Sequence, residues 1–115
     1  MDDNNETLDH FEAQLTLLPT EQGGRRTPIR SGYMPNWWIP TPEGRDLVSA
    51  ALELIDGDEM RPGETGVVRV FPFAPELWRH LDVGTGIEMT EGPRRTMGQA
   101  TIKRVVRVAV PAPSG

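Results

Sequence analysis

The sequence predicts an all-β domain, a small barrel or sandwich, and three observations lead there. Phe11, Ala13, Leu15 and Leu17 alternate with Glu12, Gln14 and Thr16, the two-residue period of a strand with one buried face. The other apolar stretches are short and several are rich in β-branched residues, as at 66–73 and 101–110. Twelve glycines and 11 prolines separate these stretches, so the chain turns too often to build long packed helices.

Taken in order, residues 1–9 are polar and acidic without periodicity and read as a solvated, disordered tail. The strand around Phe11–Leu17 follows, then a loop from Pro19 to Pro28 that holds Gly23, Gly24, Arg25 and Arg26. A second extended stretch lies near Tyr33–Ile39, bounded by prolines at 35, 40 and 42. Leu47–Ile55 fits either a strand or a helical stripe, and the Asp56-Gly57-Asp58 turn favours a strand over Ala50–Ile55. Arg61-Pro62-Gly63-Glu64 forms a further turn, and a strand follows from Gly66 to Phe73, with Val67, Val68, Val70 and Phe71 as core. A short helix is expected near residues 75–82, because proline stands at its start and Leu77, Trp78 and Leu81 share a face. Gly86–Thr90 and Thr101–Val110 complete the strands, and residues 111–115 read as a flexible tail.

A chain of 115 residues with 37% hydrophobic content fits one domain with one core. No cysteine is present, which excludes disulfides and thiolate chemistry. The only lysine, Lys103, follows no glycine-rich loop, so a phosphate-gripping loop of the Gly-x-x-x-x-Gly-Lys type is absent. His10 and His80 lack acidic or histidine partners at metal-ligand spacing, and no serine or threonine resembles an activated nucleophile. The expectation is a protein that is not an enzyme and carries no catalytic residues, metal or cofactor. The acidic N-terminus lacks the order of a secretion signal, and no apolar run would span a bilayer. A cytoplasmic chain with no membrane partner is therefore expected.

Four motifs in order carry a resemblance across residues 10–107. Glu21, Gly23, Gly24, Arg25, Thr27 and Pro28 match Glu-x-Gly-Gly-Arg-x-Thr-Pro, and Tyr33 and Pro35 match Tyr-x-Pro-Gln. Met60-Arg61-Pro62-Gly63-Glu64 and Glu91-Gly92-Pro93-Arg94-Arg95-Thr96-Met97-Gly98 resemble Met-Pro-Gly-Asp and Glu-Gly-Gly-Arg-Thr-Val-Gly. The chain thus resembles the third, C-terminal domain of bacterial elongation factor Tu, as a stand-alone barrel over 10–110. The resemblance implies a small six-stranded antiparallel β-barrel, in agreement with the strand count, with the segment from Pro75 to Val83 as an insertion. In the full-length factor this domain helps hold the T stem of aminoacyl-tRNA, packs against the GTPase domain and contributes to contacts with the nucleotide-exchange factor.

Carried over by resemblance, the nucleic-acid-binding candidates are Gly24, Arg25, Arg26, Thr27, Asn36, Gly92, Arg94 and Arg95. Arginines on tight glycine turns suit phosphate contacts, and A-form RNA is recognised largely through its backbone. The chain departs from the family at Asn36, where glutamine is usual, at Pro93, where glycine is usual, and over Pro40–Ala50. Trp37, Trp38 and Trp78 are candidate partner-binding residues. Trp37 and Trp38 are adjacent, so in a strand they face opposite sides, one into the core and one outward. Trp78 reads as either a hydrophobic plug or a contact. Two functions follow. One is a protein-interaction, decoy or regulatory module linked to translation, binding a partner of the factor or a toxin or regulator that recognises it. The alternative is a tRNA- or RNA-binding module that uses the two arginine loops.

Overall fold

A computed structural model describes residues 6–109. Its strands are β1 (Glu6–Leu17), β2 (Asn36–Thr41), β3 (Gly44–Leu54), β4 (Thr65–Pro72), β5 (Gly86–Thr90) and β6 (Thr96–Ala109). They close in the order β1-β4-β3-β2-β5-β6, every pairing antiparallel, so the expected six-stranded barrel is the fold. Closure pairs every strand with a neighbour on both sides and leaves free edge only over short stretches such as β2 beyond Trp38, which removes most of the usual liability of an all-β chain.

Strand phase follows the sequence most faithfully in β1. Phe11, Ala13, Leu15 and Leu17 point inward and are buried, while Gln14 and Thr16 face solvent. Val68 and Val70 of β4 meet them from the next strand, opposite Ala13 and Phe11. The long pairing of β1 with β6 is interrupted twice, between Leu8 and His10 and between Glu12 and Ala13. Such bulges bend and coil a long ribbon so that it can wrap a small core.

Several expectations are corrected. Glu6–Asp9 do not belong to a tail but to β1, with Glu6 opposite Ala109 and Leu8 buried. Their backbone is taken up by the long C-terminal strand, a partner that local composition cannot reveal. Residues 1–5 and the expected tail at 111–115 lie outside the described residues. The strand read over at least Ala50–Ile55 runs from Gly44 and ends at Leu54, and the one expected from Thr101 begins at Thr96. The segment near 75–82 does not form an α-helix. It is a single 3-10 turn at Pro75–Leu77 extended by hydrogen-bonded turns, with Leu77 N–H donating to the Ala74 carbonyl, Trp78 to Pro75 and Leu81 to Trp78. All three bonds span three residues, and the segment is too short to propagate further. Val67 and Phe71 point outward, because the alternation that buries Val68 and Val70 turns their neighbours to the other face.

The barrel ends are plugged by loop residues. Where β1 begins, Trp78 and Leu81 fill the opening, with the Trp78 ring 5.9 Å from Phe11 and edge-on to Trp37 at 6.5 Å. At the end reached by Leu17, Ile29 and Met60 form a two-way backbone bridge and are both buried. Outside, Glu53, Arg69, Glu12 and Arg104 stand in register across β3, β4, β1 and β6. Arg69 donates to Glu53 at 2.8 Å and Arg104 to Glu12 at 3.1 Å.

Candidate binding surfaces

The loop between β1 and β2 begins with a tight fold at Pro19, whose carbonyl accepts N–H bonds from Gln22 and Gly24, both 3.0 Å. Gly23 takes a left-handed conformation, φ 93°, that closes the 3-10 turn Thr20–Gln22. Gly24 is buried, and a side chain there would run into the Leu18 carbonyl, so only glycine lets the loop pass. This delivers Arg25 against the second loop, Glu91–Arg95, where Gly92 is left-handed and Glu91 N–H bonds the Arg95 carbonyl at 2.9 Å.

Arg25 is spent internally. Its side chain is 17% exposed. It donates from Nε to the Thr27 carbonyl, from Nη2 to Thr27 Oγ1 (both 3.1 Å), and from Nη1 to the Tyr33 hydroxyl at 2.9 Å. Nη1 is also ion-paired with Glu91 Oε2, and the guanidinium lies 4.7 Å from the Tyr33 ring centroid. Tyr33 donates its hydroxyl to the same carboxylate. Burial pushes the Tyr33 phenol above its ordinary value, with the Arg25 charge opposing.

Arg25, Arg26, Thr27, Glu91 and Arg95 line one shallow concavity of about 380 Å³. Three of the four loop arginines therefore converge, with a carboxylate among them. Arg94 does not line this concavity and is exposed beside Pro93. Asn36 lies outside it as well, on the outer face of β2, where its Oδ1 accepts from Ser49 Oγ at 2.9 Å.

Of the tryptophans, Trp37 is the inward one and donates Nε1–H to the Ala50 carbonyl at 3.1 Å. Trp78 is fully buried as well. Neither is free to meet a partner, which corrects the expectation for both: register turned Trp37 inward, and the open barrel end drew in Trp78. Trp38 faces outward, with the Arg45 guanidinium 4.0 Å from its ring centroid and Nε1–H donated to the Pro93 carbonyl at 3.3 Å.

The outer face of β2, β3 and β4 carries, beside Trp38, apolar side chains that the sequence reading did not place on the surface. Leu47 stands opposite Trp38 and is 36% exposed. Phe73 extends the β4 line by donating its N–H to the Ser49 carbonyl, and it is 57% exposed. Phe71, opposite Ala51, lies one outward position further along and is half-buried, its ring 4.9 Å from that of His10. Alternation within 67–73 was the available signal, since the phase that buries Val68 and Val70 sends Phe71 and Phe73 out.

Among the described residues, no group of three or more histidine, cysteine or acidic side chains is placed to hold a metal ion. No helix there is long and apolar enough to cross a membrane. The sequence matches no protein-family model.

Proposed function

We propose that the chain is a non-catalytic protein-interaction module that acts in the cytoplasm beside the translation machinery. In this reading its barrel offers the partners of elongation factor Tu a surface like that of the factor's third domain. The observation that carries the interaction reading is the outward apolar strip Trp38, Leu47, Phe71 and Phe73. Outward positions of a small closed barrel are ordinarily polar, and a run of outward apolar side chains, with Leu47 and Phe73 exposed and Trp38 and Phe71 half-buried, marks a surface that another protein covers. The link to translation rests on the motif resemblance, which supplies the partners to test.

The test is a pull-down with the exchange factor of elongation factor Tu, and with the factor's GTPase and second domains. It is run at about 0.5 M salt, where the Debye length of about 4 Å suppresses purely ionic capture. Binding by the wild type, weakened about tenfold or more by Phe73→Asp and by Leu47→Asp at unchanged melting temperature, supports the reading. Binding indifferent to both substitutions refutes the assigned surface, and failure to bind any of these partners refutes the translation link.

The convergence of Arg25, Arg26 and Arg95 beside Thr27 favours a second reading, binding of tRNA or another RNA. Here Glu91 acts as an internal competitor for phosphate, because it already holds Arg25. Glu91→Gln should free that arginine, raise RNA affinity and steepen its fall with salt by roughly one unit of slope. If the wild type binds no tRNA at low salt and Glu91→Gln does not create binding, the RNA reading fails.

A further inference from the structure

We infer that the outer wall of the barrel, where β2 parts from β5, is a binding site for a neutral saccharide. β2 pairs with β5 only over Asn36–Trp38. The next outward residue, Pro40, has no N–H with which to continue the ladder. Its carbonyl accepts instead from His80 Nε2 at 2.7 Å. Where the ladder stops, a groove of about 820 Å³ opens, within the usual range for small-ligand sites.

The groove has an apolar wall and a polar floor. Trp38 and Pro40, two residues apart on the same face of β2, form the wall, and the stacked Arg45 fixes the indole. The floor consists of two cross-strand rows, Glu88–Gln99–Thr16 and Gly86–Thr101–Gln14, in register over β5, β6 and β1. One cation and one carboxylate line it, so it selects for no net charge. Amides and hydroxyls are both donors and acceptors, which is the dual capacity of sugar hydroxyls. The apolar wall suits the C–H face of a pyranose ring. Gly86 keeps the groove open, since a Cβ there would come no nearer than 4.0 Å to the Ala100 carbonyl and would meet only the groove beyond.

The groove and the interaction strip have Trp38 in common and no other side chain, and the inference does not depend on the protein-partner reading. It is tested by titrating the intact chain with neutral glucose-, galactose- and mannose-based tetrasaccharides. A heparin-derived disaccharide and a neutral Gln/Ser peptide serve as comparisons, followed by calorimetry and backbone amide shifts. At least one neutral tetrasaccharide should bind saturably and shift amides at 86–88 and 99–101. Gly86→Val should weaken it about tenfold or more without lowering the melting temperature. Gln99→Ala should weaken it too, and Asp58→Asn, in a bend outside the groove, should leave it unchanged. No saturable binding by any tetrasaccharide, binding undiminished in Gly86→Val, or stronger binding of the peptide or the heparin disaccharide at these residues overturns the proposal.

Discussion

At the scale of single residues, the molecule is decided by a few positions with no tolerance. Gly24 sits where any side chain meets the Leu18 carbonyl, and its neighbour Arg25 is the hub of the loop cluster. Gly24→Ala should therefore cost about 1–3 kcal/mol or more and release Arg25, read as a lower denaturation midpoint. Tyr33 gives a pH-dependent signature. Its phenol is raised in the folded state, so the folded chain holds that proton more tightly than the unfolded chain does. Below about pH 10 both states are protonated and the group contributes no pH dependence; above it, stability falls as pH rises. Denaturation midpoints at about pH 9 and pH 11 should show a smaller loss in Tyr33→Phe than in the wild type.

Among the elements, β1 is the strand whose sequence pattern and burial agree throughout Phe11–Leu17, and it contacts both β4 and β6. Leu15→Ala leaves a cavity in a core with little slack and should cost about 2–5 kcal/mol by chemical denaturation. The 74–82 segment shows the opposite relation between sequence and structure. As an isolated peptide it would have no reason to hold its shape, yet Trp78 within it is fully buried against Phe11 and Trp37. Trp78→Ala should cost about 3–5 kcal/mol, an effect expected of a core residue and not of a surface contact.

For the whole molecule, closure through β1 and β6 joins residues as far apart as Glu6 and Ala109. One closed sheet around one core should melt as a unit. Far-ultraviolet circular dichroism, which reports the sheet, and tryptophan fluorescence, dominated by buried Trp37 and Trp78, should give coincident transitions. Separate transitions would mean that the plugged end opens before the barrel. Because so much of the pairing is distant in sequence, folding on the millisecond-to-second scale typical of β-barrels is expected.

The sequence by itself determined the all-β class, the inward face of β1, and the turn Arg61-Pro62-Gly63-Glu64, because alternation and turn chemistry are local properties. It also placed Gly24–Thr27 and Glu91–Arg95 on loops. Only the tertiary structure decided which of Trp37 and Trp38 points inward, since a shift of one residue in register exchanges the two faces of a strand. Tertiary structure alone likewise paired Arg25 with Glu91, 66 residues away, which turned a free cation into an internal tie. Local pattern specifies how a segment folds, whereas ion pairing and exposure depend on which distant segment the closed barrel brings beside it.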